Sequence, residues 1–257
     1  MRVALIDSDI IAYRSAILCE AETDDMAVEL VGRLHQYWQD MSNADIVVPC
    51  LTQGPNFRRD HWPDYKQNRK KKERPRHLSA CIKHILTMPN VAWMSGLEAD
   101  DVMGILQTVS DHDTIIVTVD KDMDQIPGLH CNPDKEIIYD VSQDDADLYR
   151  WIQVLTGDST DNYPGIPKVG IAKAQKMLNE VSPGDRMSVV KAVYESKELS
   201  LDYYHQMVAC ATILTYEDLC ESSLPVSSAD GTLRELLATV MSSKTCGSTA
   251  TASSTSG

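Results

Sequence analysis

Acidic side chains fall into four tight groups along this chain. "EADD" holds Glu98, Asp100 and Asp101, "VDKDMD" holds Asp120, Asp122 and Asp124, "GDSTD" holds Asp158 and Asp161, and Asp7 ends an apolar run in "LIDSD". Like charges at close range repel, and each raises the pKa of the next. One acid at a helix start or after a strand is ordinary. Several groups on neighbouring sheet ends are not, and Lys121 is the one cation at matching places in that part of the chain. A divalent cation is the natural neutraliser. A carboxylate set without patterned His or Cys suits Mg²⁺ or Mn²⁺. Two such ions about 3.5–4 Å apart stabilise both the attacking and the leaving oxygen in phosphodiester hydrolysis.

A second pattern is positive. From Arg58 to Arg76 nine basic residues face three acidic ones, a local balance of +6 on a chain whose net charge is −14. The overall balance argues against a nucleic-acid partner, whereas the local field selects for one. Read alone, the run is also compatible with a solvated loop. A third pattern is "GIPKVG" (165–170), which directly follows the Asp158/Asp161 pair. A glycine-bounded hairpin that opens a helix points backbone N–H groups outward, ready for phosphate oxygens. Lys168, Lys173 and Lys176 add charge that suits a DNA backbone without reading sequence.

These groups need elements to position them. "RVALI" (2–6), "DIVVPCL" (45–51), "VAWM" (91–94) and "TIIVTV" (114–119) read as strands. Residues 24–41, capped by Thr23, and residues 77–86 and 98–109 read as helices. Such alternation implies an α/β domain with a mainly parallel sheet. From about residue 143 the strand signals stop, and 146–157, 170–180, 185–195 and 201–215 are helical in pattern. The expected division is an α/β core over 1–142, a helical part over 143–220, and a small polar tail over 221–257 whose end is expected to be disordered. In doubly wound sheets ligands bind beyond the carboxyl ends of strands. Asp7, the "EADD" group and Asp120/Asp122 all fall at that edge.

Composition bounds the rest. The chain has 257 residues, 43% of them hydrophobic, with a single Phe. The first apolar run is too short for a signal peptide or a membrane span, and no other stretch reaches about 18 apolar residues. Seven scattered Cys without a C-x-x-C pair imply reduced thiols and a cytoplasmic protein.

The motifs "LIDSD", "NFRRD", "YKQNRK", "EADDVMG", "TVDKDMDQIPG", "GDSTDNYPGI" and "PKVGIAKA" occur in that order over about residues 3–216. Together they resemble the 5′-nuclease family of flap endonucleases, the 5′-nuclease domains of bacterial DNA polymerases and, above all, bacteriophage 5′→3′ exonucleases. The resemblance implies a PIN-like α/β fold with flanking helices, a basic helical arch over 56–77 and a C-terminal helix-three-turn-helix. It implies metal-dependent cleavage near DNA 5′ ends in phage replication and recombination, within an infected bacterial cell. RNA-primer removal and RNA–DNA hybrids stay open as substrates. The implied metal set is Asp7, Glu98, Asp100, Asp101, Asp120, Asp122, Asp158 and Asp161, for two ions, with K⁺ as a further cation at the helix-hairpin motif.

Lys66 and Arg69 would contact the scissile phosphate as catalytic residues. Tyr65, stacking on an unpaired base, and Arg58, Lys70, Lys71, Gly165, Lys168, Gly170 and Lys173 would bind DNA. One position departs from the family: an acid is expected after the second strand, and Gln53 stands there. Two other readings compete. One is a haloacid-dehalogenase-like phosphatase, suggested by "LIDSD". The other is a non-catalytic, structure-specific DNA-binding relative.

Overall fold

The apolar run at the start forms the central strand, β1 (Arg2–Asp7), of the computed structural model, which describes residues 1–71, 73–110 and 112–221. β1 lies parallel to β2 (Ile46–Cys50) on one side and β3 (Asp113–Val117) on the other. β4 (Gly128–Asn132) continues in parallel, and β5 (Ile137–Val141) closes the edge antiparallel, giving the order β2-β1-β3-β4-β5. β1 and β3 are nearly unbroken apolar runs because helices cover both sheet faces.

α1 (Ser8–Leu18), α2 (Asp24–Ser42) and α4 (Leu78–Ile85) pack on the face that carries Ala4 and Ile6. The Thr23 hydroxyl accepts from Met26 N at 3.3 Å, the expected cap of α2. α5 (Ala99–Val109) and α10 (Tyr216–Glu221) pack on the face that carries Leu5. α3 (Arg58–His61) is a single turn. α6 (Gln143–Thr156) starts where the strand signals stop, and α7 (Ile171–Leu178), α8 (Pro183–Ser196) and α9 (Leu201–Ala211) follow. Trp151, Leu155, Tyr194, Tyr204 and Met207 form a third core there, and Tyr65 from the basic segment joins it.

Several elements differ from the expectation. "VAWM" makes one bridge, Ala92 to Cys50, and no strand of its own. The stretch 201–215 ends as a helix at Ala211, and α10 starts afresh at Tyr216. α1, β4 and β5 carried no clear signal. In α1 the buried side chains include Ser8 and Ser15 while Tyr13, Ile17 and Leu18 are exposed, which blurs its period. The described part of the basic segment has helical structure in α3 and in a 3₁₀ turn over Gln67–Lys71 and forms a strap. Pro63 and Pro75 bracket that turn. Residues 222–257 of the expected tail, and the side chains of Lys70 and Lys71, lie outside the described residues.

Candidate active site

The parallel strands deliver their acids to one edge. Asp7 is the last residue of β1, and Asp120 follows β3 by three positions. Glu98 caps α5 and Asp100 lies in its first turn. Asp7 is buried; its carboxylate accepts from the Thr118 hydroxyl at 2.8 Å and from Ile10 N at 3.3 Å. Burial, and then the neighbouring Asp9, push Asp7 up to about 7. Burial, and then Asp7 and Asp120, hold Asp100 well above the carboxylate range, and no described residue donates a hydrogen bond to it. Asp122 is raised to about 6 by burial and then by Asp120 and Asp158. Asp9, absent from the expected set, stands at the same edge and is raised to about 6, chiefly by burial. Its sequence signal was the D-x-D of "LIDSD".

The other acids are already compensated. The Lys66 ammonium sits 2.6 Å from Glu98 Oε1 and 3.4 Å from Asp161 Oδ2, and Arg69 reaches Asp161 Oδ1 at 2.5 Å. Burial alone would raise Glu98, but Lys66 and Arg58 hold it down to about 2. Lys66 has φ +54°, a backbone conformation that L side chains rarely adopt and that only surrounding contacts sustain. Those contacts are visible. Lys66 N donates to Asp161 O at 2.8 Å, the Asn68 side-chain amide to Ser159 O and Thr160 O at 3.1 Å, and Trp62 Nε1 to Asn162 O at 2.9 Å. The strap thus docks on the loop that carries Asp158 and Asp161. Asp158 Oδ1 accepts from Thr160 N and Asp161 N, at 2.5 and 3.3 Å.

Three expectations give way. Asp101 is 0% exposed, and Arg58 Nη1 and Nη2 each reach it at 2.7 Å, while Glu98 N and Leu214 N complete its shell at 3.0 and 3.1 Å. Four donors leave it no role as a metal ligand. Arg58, 2% exposed, also donates to Thr212 O at 2.5 Å and Cys210 O at 3.3 Å, and so offers nothing to DNA. Tyr65 is 2% exposed, its hydroxyl 3.0 Å from both Glu98 Oε2 and Asp161 Oδ2 and its ring on Tyr163, so no base can stack on it. These three residues share the site's motifs but lie one layer beneath its surface.

The hairpin divides in the same way. Gly165 is buried at φ +59°, facing Gly157 so closely that a Cβ on either would strike the other's backbone; it closes the loop and leaves no DNA surface. Lys168, Gly170 and Lys173 are exposed, with Gly170 capping α7. Sequence reasoning also passed over two residues that hold Asp122. Gln153 Nε2 and the Tyr149 hydroxyl donate to its Oδ1 at 2.7 and 3.2 Å, and Gln125 in turn donates to Gln153 Oε1 and, at 2.9 Å, to Ala211 O.

Oxygen donors with uncompensated charge are what a hard divalent cation binds. Asp7, Asp100, Asp120, Asp122 and Asp158 fit such an ion in chemistry, although among the described residues no three acidic, His or Cys side chains meet at one point.

Comparison with known proteins agrees with this arrangement. Residues 2–147 match the model of the 5′-3′ exonuclease, N-terminal resolvase-like domain. Over 205 residues the chain is 29% identical to thermostable DNA polymerase I of Thermus aquaticus, covering 70% of this chain and 24% of the polymerase. Over 177 residues it is 31% identical to a 5′-3′ exonuclease of Buchnera aphidicola, covering 62% of this chain and 59% of that protein. The chain therefore spans about a quarter of the length of the polymerase it matches.

The fold is that of bacteriophage T5 5′-exonuclease. A structure of that protein with bound zinc superposes with TM-score 0.70 at 15% identity, over 94% of this chain and 99% of the other. A T5 D15 flap endonuclease complex with DNA and metal ions superposes with TM-score 0.68 at 13% identity, over 94% and 98%. No described helix is long and apolar enough to cross a membrane.

Proposed function

As the chain belongs to the family defined by the 5′-3′ exonuclease, N-terminal resolvase-like domain, we propose that it hydrolyses phosphodiesters near DNA 5′ ends, as a 5′→3′ exonuclease and flap endonuclease. The observation that carries this reading is the split between two kinds of acid. Among the described residues Asp7, Asp100, Asp120 and Asp122 have no cationic side chain hydrogen-bonded to them, whereas Glu98 and Asp161 are held by Lys66 and Arg69 beside them.

Asp7, Asp100 and Asp120 would hold one Mg²⁺ or Mn²⁺, and Asp122 and Asp158 would hold a second. Such ions supply an activated water and neutralise charge on the phosphate oxygens. Lys66 is placed to stabilise the charge that develops on the scissile phosphate, a contribution that depends on a fixed, partly buried donor. Arg69, half exposed, can leave Asp161 for the same phosphate. Lys168, Gly170 and Lys173 form an exposed basic turn for the duplex backbone, with K⁺ as its counter-cation in the same reading. A role in phage DNA replication and recombination is part of the same proposal, and the fold shared with T5 5′-exonuclease supports it.

The test is digestion of duplexes labelled at 5′ or 3′ ends, carrying gaps, flaps or RNA primers, with and without Mg²⁺. Products shortened from the 5′ end, and only with the ion, are expected. Asp120→Asn should abolish them and keep DNA binding. Binding without cleavage by the unaltered chain would favour a non-catalytic relative, and free phosphate from small phosphoesters would favour a phosphatase.

A further inference from the structure

One place at the crevice lacks its acid. Gln53 stands in the turn that leaves β2, half-buried, and its side chain joins no hydrogen bond with any described residue. A neutral amide offers a cation one carbonyl oxygen. Asp9 approaches the same turn from the other side. Both of its carboxylate oxygens lie 3.3 Å from the backbone N of Thr52, the residue before Gln53. The Thr52 hydroxyl in turn accepts from Ala99 N at 2.9 Å, which ties this turn to the start of α5 between Glu98 and Asp100. Asp9 lies within electrostatic reach of Asp7, of Glu98, which raises it, and of Lys66, which lowers it, and among the described residues no Lys or Arg hydrogen-bonds to it. Its hydrogen-bond partners are the Thr52 amide at 3.3 Å and the Thr52 side chain, and they leave lone pairs of the carboxylate for a cation.

We propose that Asp9 is a metal-binding carboxylate of this site and supplies, from the first turn of α1, the negative charge that Gln53 does not. The proposal rests on the metal-dependent reading above. Because α1 begins directly after β1, Asp7 and Asp9 are carried on one rigid junction, and the Thr52 amide fixes Asp9 against the β2 turn. Affinity for a hard cation follows the count of charged oxygen ligands. An acid at position 9 therefore compensates an amide at position 53.

The experiment is Mn²⁺ binding to the full chain without DNA, followed by titration calorimetry, with melting curves in chelator to verify folding. Asp9→Asn should weaken the tighter ion about tenfold or more. Asp25→Asn, on the exposed start of α2, should leave binding unchanged. Asp9→Asn/Gln53→Asp moves the charge across the turn and should restore wild-type affinity. Gln53→Asp alone keeps Asp9 and should tighten binding, and if Asp9→Asn folds poorly the double variant, compared with Gln53→Asp, reads the contribution of Asp9: equal binding in the two overturns it. Wild-type affinity in Asp9→Asn, with Asp120→Asn weakened, overturns the role of Asp9 alone. Unchanged binding in Gln53→Asp overturns the shared position. If Asp120→Asn also binds as wild type, the metal reading itself falls.

Discussion

Replacing Arg58 by Met tests whether the best-paired cation of the basic segment serves the fold or the DNA. Its guanidinium makes two 2.7 Å contacts with Asp101 and two with the carbonyls of Cys210 and Thr212, all out of solvent. Burial would lower its pKa, yet Asp101 holds it well above the usual arginine value, so Arg58 stays charged. Methionine fills the volume and removes every one of these donors. Asp101 keeps the amides of Glu98 and Leu214 but loses its counter-charge, and two carbonyls lose their partner. Breaking a buried pair from one side costs about 3–5 kcal/mol. That is a large part of the roughly 5–15 kcal/mol that holds a domain folded. Urea unfolding in chelator should show this loss, and Asp101→Asn in the same chain should recover part of it, with a coupling of about 2 kcal/mol. A loss below about 1 kcal/mol, combined with weakened DNA binding, would refute the structural role and return Arg58 to the DNA surface.

Three further outcomes follow. The folded, metal-free protein holds protons on Asp7 and Asp122, raised to about 7 and about 6, that the unfolded chain has already released. Its stability should therefore fall as pH rises from about 4 through about 7, by up to roughly 4 kcal/mol for Asp7; melting in chelator should be lower at about pH 8 than at about pH 5, and millimolar Mg²⁺ should flatten the difference. Lys66→Ala should slow single-turnover cleavage about 10²-fold, and a change confined to affinity would assign Lys66 to binding alone. Gln153→Ala releases one of the two donors on Asp122 Oδ1 and should shift the Mg²⁺ titration of activity about 10–100-fold to higher concentration; an unshifted curve would make the Gln153 contact purely structural.

The parallel sheet and its acidic edge were legible because β1 and β3 are long apolar runs that end at acids, a pattern tied to burial on both faces. β4 and β5 were not, because "GLHCN" is short and polar and β5 leaves Ile137 and Ile138 exposed at the sheet edge. Within the site, motif position brought Asp101, Arg58 and Tyr65 forward with their neighbours but carried no information about depth. On α5, Asp100 and Asp101 are one residue apart, about 100° around the helix. That rotation turns one toward the crevice and the other under it. The left-handed Lys66 had no sequence signal at all, since lysine there is dictated by what its ammonium reaches and not by what its backbone prefers.

The Arg58 contacts also set a schedule. A ribosome releases this chain from the N-terminus, and the carbonyl of Thr212 follows Arg58 by 154 residues. At about 5–20 residues per second that interval is roughly 8–30 s. Throughout it the sheet and α5 can form, but the guanidinium they must bury still lacks two of its acceptors, and the strap lacks the loop at 158–163 on which Lys66 rests. The nascent chain thus carries its acids before it can lock its cations over them. The burial of Arg58 is therefore completed only after α9 has been made and closes behind it.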